Sequence, residues 1–487
     1  MRVIPSFVSR KETIRSDHIG KKPAERSAGF LRIPHSLSPD IGSIMKSGLK
    51  KRISSFQIIL LGFAGVILFG SLLLCFPFSS RAREWTPFID TLFTSVSAVC
   101  VTGLVVYDTA THWSLFGQIV ILSLIQIGGM GVVTVASSFA LLSGKKIGLF
   151  TRETMKEAIS APTVGGIVRL TGFILKGIFI TEAVGALLLM PSFCGRFGPE
   201  GIWISVFTSV SAFCNAGFDL MGGKTGKFSS LTGFAADPLV NVTIMLLIVI
   251  GGIGFLVWRD VLRYGIRFRR YSTQSKLVLI ASGILIVVPA VCFFFAEFSA
   301  LPTGERILAS LFQSVTTRTA GFNTVDLSTM KESGIFLMIG LMLIGGSPGS
   351  TAGGMKTTTI AILVCSAYSV FRQRSETNVL KRRADPDTVR RAASVFLVYM
   401  TLFWFGGMLI GVIENLPMTA CLFETASAVG TVGLSLGLTP TLGIASKLIL
   451  IVCMYFGRVG VMTLIYATFG RYKSQNSKYP IDGFSVG

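Results

Sequence analysis

From residue 54 onward the chain falls into apolar runs of spanning length near 54–77, 113–142, 165–193, 239–258, 277–298, 334–370, 393–413 and 443–470. A helix needs about 20 mostly apolar residues to cross a hydrocarbon core of about 30 Å, so the pattern predicts eight transmembrane helices. Shorter apolar runs, such as Phe88–Val99 and Ile202–Cys214, lie between each odd-numbered span and the even-numbered one after it. They are too short to cross. A short run beside a glycine-bearing loop predicts a re-entrant half-helix, tolerated at membrane depth only where protein or a water-filled cavity surrounds it.

Aligning the chain with itself shows that these runs are copies of one unit. Phe93–Leu104 reads FTSVSAVCVTGL, Phe207–Phe218 FTSVSAFCNAGF, Phe312–Phe322 FQSVTTRTAGF and Phe423–Leu434 FETASAVGTVGL. Each copy has an aromatic start, small hydroxyl residues and a glycine followed by Leu or Phe. The glycines, Gly103, Gly217, Gly321 and Gly433, are 114, 104 and 112 residues apart, and the third copy is one residue short. Such a period implies an internal repeat of one pair of spans with its half-helix. The predicted fold is therefore an all-α membrane protein, with four helix–pore-helix–helix repeats arranged with pseudo-fourfold symmetry around one central pore. Its divisions are a basic tail 1–52, repeats 53–142, 143–260, 261–371 and 372–472, and a tail 473–487. Four glycines let four backbones approach and turn carbonyl oxygens inward, where they replace the hydration shell of a monovalent cation. Close helix packing by small residues is the simpler alternative for any one copy.

Charge changes the picture by its location. The chain has 51% hydrophobic and 14% charged residues, which excludes a disordered, collagenous or small disulfide-bonded protein. A net charge of +21 in a soluble protein would suggest a nucleic-acid partner. Here the four regions holding the short runs contain eight Lys or Arg, the loops 143–169, 259–276 and 371–391 contain eighteen and the two tails fifteen. Basic loops and both termini then face the cytoplasm across a plasma (inner) cell membrane, and the short runs enter from outside. No nucleic acid is needed. Residues 1–52 lack the apolar segment of a signal peptide and read as a cytoplasmic tail.

Catalytic material is scarce. Three histidines (His18, His35, His112), eight cysteines without a CxxC pair and no phosphate-binding GxxxxGK[ST] string argue against an enzyme. Transporters with broken midplane helices commonly show two repeats rather than four, which argues against an organic-solute carrier.

Three further features bear on an ion pathway. Acids follow the glycines at Asp108, Asp219 and Asp326; they read as an outer carboxylate ring that concentrates cations, or else Asp108 and Asp326 cap helices or pair with Arg318 or Lys331. The run 334–370 is too long for one straight helix, and its middle, Gly345, Gly346, Ser347, Pro348, Gly349, Ser350, Thr351, Ala352, Gly353 and Gly354, predicts an interruption that serves as a gate or as a packing kink. Arg458, inside the last run, reads as a barrier to cations facing a cavity or as a snorkelling side chain; Lys176, Glu182 and Lys356 are weaker cases near an interface or paired.

The strings CVTGL, TTRTAGFNTVDL from Thr316 and GGSPGSTAGGMKTTT from Gly345 resemble the Trk/Ktr/HKT superfamily of potassium transporters over essentially everything after residue 54, and the Ktr-type membrane subunit most closely. The resemblance implies potassium uptake through a filter lined by the backbones of Cys100, Val101, Thr102 and Gly103; Cys214, Asn215, Ala216 and Gly217; Arg318, Thr319, Ala320 and Gly321; and Gly430, Thr431, Val432 and Gly433. Glycine at all four positions goes with potassium, whereas serine at the first goes with sodium-preferring plant members. The resemblance also implies gating by the 345–354 loop with Arg458, a homodimer with one pore per protomer, and a cytosolic ring of nucleotide-binding regulatory subunits of the KtrA/TrkA type on the basic loops. It implies stimulation by sodium as well. A sodium-permeable or cation-coupled transporter of the same superfamily is the alternative.

Overall fold

The computed structural model describes residues 54–142, 147–160 and 163–469. The expected tails 1–52 and 473–487, with His18 and His35, lie outside the described residues, as does part of the loop at 143–169.

The elements recur in a fixed order. A long helix α1 (Ser55–Cys75) precedes a short α2 (Phe88–Val99) and α3 (Leu115–Met130); then come α4 (Ile167–Phe197), α5 (Glu200–Cys214) and α6 (Pro238–Gly252). Next are α7 (Thr273–Ala296), α8 (Thr303–Thr316), α9 (Glu332–Met342) and α10 (Thr357–Phe371), followed by α11 (Pro386–Glu414), α12 (Met418–Gly430) and α13 (Ile444–Val459). Among the described residues the only strands are a two-residue antiparallel pair, Asn378–Val379 with Arg382–Arg383. Polar caps set several starts: Ser54 and Gln57 form a reciprocal capping box on α1, and Asp237 before Pro238 caps α6.

α1, α4, α7 and α11 are long and apolar enough to cross a membrane. Three of the runs expected as straight spans are instead sharply bent. α3 turns by 96° into Val132–Leu142, α6 by 101° into Phe255–Tyr264, and α13 by 93° into Val461–Phe469. Each bend follows a glycine in the left-handed region: Gly131 at φ +84°, Gly254 at +94° and Gly460 at +86°. Only glycine takes that conformation without a steric penalty, so the strings GGMG, GGIG and GRVG that end there are helix terminators. The run 334–370 breaks between α9 and α10, where its glycines and proline predict.

The short helices sit against their long partners through one repeated contact. The hydroxyl two residues after the aromatic start donates to a backbone carbonyl of the long helix: Ser95 to Ile67, Ser209 to Glu182 and Ser314 to Ile286, each at 2.7 Å. In the fourth copy a methyl group on Gly406 would lie 2.8 Å from Thr425 Cγ2, so the same position again packs at backbone distance. The small hydroxyl residues of the motif therefore fasten the short helices to their neighbours.

The first and last parts of the chain are joined by an ion pair. Lys447 Nζ lies 2.7 Å from Asp90 Oδ1, with the side chains 10% and 9% exposed, and Tyr107 Oη donates to Asp90 Oδ2 at 2.9 Å. Lys447→Met strands the Asp90 carboxylate away from water and is expected to destabilise the fold by about 3–5 kcal/mol. Thermal unfolding in detergent checks this, and adding Asp90→Asn on the same background should recover part of the loss.

Candidate functional site

The C-terminal ends of α2, α5, α8 and α12 deliver four loops to one point. In each loop a non-glycine residue in the left-handed region stands two positions before the glycine: Val101 before Gly103, Asn215 before Gly217, Thr319 before Gly321 and Thr431 before Gly433. The glycines themselves have φ between +69° and +95°. Alternating handedness points successive carbonyls to the same side of the chain.

The four loops form a closed cycle. A methyl group on Gly103 would lie 2.4 Å from the carbonyl oxygen of Ala216, one on Gly217 2.7 Å from that of Ala320, one on Gly321 2.4 Å from that of Val432, and one on Gly433 2.2 Å from that of Thr102. No side chain fits at any of the four. Each loop is also tied back to its own short helix: Thr102, Ala216 and Val432 N–H donate to the carbonyls of Ser97, Ser211 and Ser427 at 2.8 Å. Gly103 and Gly433 N–H donate to the Ser97 and Ser427 hydroxyls at 3.0 and 2.9 Å. The third loop, one residue shorter, is held instead by Gly321 N–H on the Thr316 carbonyl.

Ten of the twelve N–H groups in residues 101–103, 215–217, 319–321 and 431–433 donate to described residues, whereas the carbonyls are left unpaired. None of the backbone oxygens of residues 101–103, 215–217, 319–321 or 431–433 accepts a hydrogen bond from a described residue. Buried carbonyls are almost always paired. Twelve that converge unpaired make an oxygen-lined cage suited to a desolvated cation.

Above the ring opens a cavity of about 720 Å³ lined by all four glycines and by Asp108, Asp219 and Asp326. The acids also cap. Asp108 accepts from Thr111 N at 2.9 Å and Phe228 N at 3.0 Å, Asp219 from Met221 N at 2.9 Å, and Asp326 from Ser328 N at 2.9 Å. The pairing considered with Arg318 or Lys331 is not found: Arg318 donates to Ser282 Oγ and Lys331 to the Ala296 carbonyl.

Below the ring lies the 345–354 segment between α9 and α10. Thr351 Oγ1 donates to the Phe213 carbonyl at 3.1 Å, and a methyl group on Gly353 would meet Thr431 Oγ1 at 2.2 Å, so the segment touches the undersides of the second and fourth loops. It is bonded to the glycine bends as well, through Ser347 N to Gly252 O, Thr351 N to Gly251 O and Gly354 N to Gly457 O. Arg458 clamps it from α13, donating to the carbonyls of Thr351, Gly128 and Gly129. Lys356 Nζ adds a bond to Ala352 O at 2.8 Å. Two cations therefore hold one backbone segment directly beneath the cage.

A family model described as TrkH, cation transport protein, matches residues 68–477. The chain belongs to the TrkH family of cation transport proteins. It is 39% identical over 457 residues to the potassium/sodium uptake protein NtpJ of Enterococcus hirae, covering 91% of this chain and 100% of that one. It is 37% identical over 432 residues to the Ktr system potassium uptake protein B of Bacillus subtilis, covering 87% and 95%. The crystal structure of the potassium transporter TrkH from Vibrio parahaemolyticus shares the fold, with a TM-score of 0.67 and 20% identity over 87% of each chain. The resemblance carried by CVTGL, TTRTAGFNTVDL and GGSPGSTAGG thus holds. As a TrkH-family member the protein is a multi-pass membrane transport protein rather than an enzyme.

Cys214 and Gly430 are the last residues of α5 and α12, and Cys100 caps α2, so three of the four quartets begin at a helix end, whereas Arg318 lies one residue beyond Thr317, the cap of α8. Arg318 turns away, its buried guanidinium directed to Ser282 on α7. Glu182 is buried and paired with a neutral group, Gln126 Nε2, at 3.0 and 3.1 Å; Lys176 is exposed. His112 stacks on Tyr107 away from the cage. Sequence reasoning missed Asp90, Lys447 and Glu424, which accepts from Thr439 Oγ1 at 2.9 Å and from Ser435 Oγ. Acids and a lysine inside apolar runs were the available signal.

Burial, reinforced by the neighbouring Asp108 carboxylate, pushes the Asp219 carboxyl up to about 6 against the pull of its hydrogen bonds from Met221 N and Ser230. Its charge is present above pH 6 and lost as the external pH falls through that value. Cation uptake is expected to show a KM that rises severalfold between external pH 7.5 and 5.5, and Asp219→Asn should remove that dependence; initial rates measured across this range check it.

Proposed function

We infer that the protein takes up potassium through the cage, as an ion pathway driven by electrochemical gradients with no covalent chemistry. In this reading eight spans form four units, 53–142, 143–260, 261–371 and 372–472, with pseudo-fourfold symmetry around one pore, and the bent inner helices each count as one span. The observation that carries it is the closed cycle of four glycine loops presenting twelve carbonyls that no donor among the described residues satisfies. Glycine at all four positions and the names of the Ktr and NtpJ relatives favour potassium. The potassium/sodium name of the Enterococcus protein also supports a second reading, in which sodium permeates or is coupled.

The 345–354 segment is the gate. It lies across the path beneath the cage, and the Arg458 charge both fastens it and repels an emerging cation. The acids at Asp108, Asp219 and Asp326 form the outer attractor. By family analogy the working unit is a homodimer with a cytosolic ring of nucleotide-binding regulatory subunits on the basic loops, stimulated by sodium, with both termini cytoplasmic.

Expression in a bacterial strain lacking potassium uptake systems, with and without a regulatory partner, tests the assignment by growth at low potassium. Gly103→Ser is expected to lower the preference for potassium over sodium about tenfold, equivalent to about 1.4 kcal/mol. Unchanged competition in rubidium uptake would sink the filter assignment. Arg458→Ala should raise the uptake rate severalfold, and slower uptake by a well-folded variant would count against the gate.

A further inference from the structure

One side chain in the outer mouth carries the same sign as the transported ion. Lys227 lines the vestibule together with Asp108, Asp219 and Asp326; it is exposed, and no hydrogen bond or ion pair joins it to a described residue. Lys224, one turn earlier, behaves differently, being paired with Glu200 at 2.5 Å and lying over the Phe197 ring.

The segment carrying Lys227 is fixed across the mouth. Phe228 N–H donates to Asp108 Oδ2 at 3.0 Å, Thr225 and Ser229 hydroxyls are 2.6 Å apart, and Asn323 brackets the far end, its N–H donating to Ser230 Oγ at 3.1 Å and its carbonyl accepting from Leu231 N at 2.8 Å. Phe228 at φ +59° and Ser230 at φ +47° both occupy the left-handed region. A phenylalanine held there is strained, and it persists only because the surrounding bonds over-determine it. Carboxylate and amide groups from two other parts of the chain therefore hold the lysine over the vestibule.

We propose that Lys227 is a tethered monovalent cation that makes the mouth selective for ion valence, admitting monovalent and rejecting divalent cations. Three carboxylates around one cavity attract hard divalent ions, whose natural ligands are carboxylate oxygens. Coulomb repulsion scales with the charge of the visiting ion. A fixed positive charge that lowers the local concentration of a monovalent ion by some factor lowers that of a divalent ion by its square. Potassium and sodium carry the same charge, so Lys227 leaves the choice between them to the cage. This inference rests on the proposed cation pathway.

The test uses full-length protein in proteoliposomes at low ionic strength, with Lys227→Gln, Lys227→Glu and Lys227→Arg. Lys227→Gln is expected to lower the rubidium KM about threefold and the inhibition constant of external calcium chloride about ninefold, with Vmax and the rubidium-to-sodium ratio unchanged. Lys227→Glu should go further, Lys227→Arg should match the parent, and the differences should shrink when choline chloride screens the mouth. Equal shifts for monovalent and divalent ions, or none in either Lys227→Gln or Lys227→Glu, overturn the proposal. Manganese binding to purified protein, followed by electron paramagnetic resonance, separates the two levels of inference. It should tighten about ninefold in Lys227→Gln even if the parent transports nothing, an outcome that would sink the pathway and spare the valence device; unchanged manganese affinity overturns the device itself.

Discussion

A peptide carbonyl at membrane depth has to be satisfied by a protein donor, by water or by an ion, because hydrocarbon offers it nothing. The arrangement of this chain follows from twelve carbonyls left without the first of these. To hold so many dipoles together against their mutual repulsion, the structure anchors the opposite edge of each loop: the amides of Thr102, Ala216, Val432 and Gly321 are spent on the ends of the short helices. Those helices are in turn fixed to the long ones by Ser95, Ser209 and Ser314. In the first three copies the hydrogen-bond chain from long helix to short helix to loop is thus continuous.

Closeness is the second constraint. Each glycine abuts the carbonyl preceding the next glycine, so the cycle closes only if no Cβ is present at any of the four positions. The same requirement recurs one layer lower. Gly128 would place a Cβ 2.1 Å from the Val99 carbonyl, Gly251 one at 2.0 Å from Phe213 O and Gly457 one at 2.4 Å from Val429 O. The inner helices therefore press against the C-terminal ends of the short helices just before they bend, each contact glycine standing three residues ahead of the glycine at the bend.

Around this near-equivalent centre the four units differ. Only the third unit has a long interruption, and the cations that hold it come from two places, Lys356 beside it and Arg458 from the last unit. The second unit brings Lys227 and Phe228 to a cavity that Asp108, Asp219 and Asp326 also line. The fourth unit contributes no acid there. In its place Glu424 is buried within α12 and shapes the following loop through Ser435 and Thr439. A symmetric cage thus opens on an asymmetric entrance and an asymmetric floor.

The sequence by itself determined the repeat, the helical class, the four glycines and the break at 345–354, because each is written in local composition: spanning-length apolar runs, a recurring string, and glycine with proline inside a helix. The TrkH kinship was legible for the same reason. Tertiary structure alone decided which atoms meet. GGMG, GGIG and GRVG lie inside runs that composition marks as single spans, and only the folded backbone has three helices bending there, since a positive φ is a property of backbone geometry and not of composition. Arg318 sat within the filter string yet points to Ser282, and Lys447 lay unremarked in an apolar run although it neutralises Asp90, 357 residues away. Sequence spacing sets which backbone enters the ring; where a long charged side chain ends is set by the partner that can lower the cost of burying it, and that partner is a neighbour only in the folded chain.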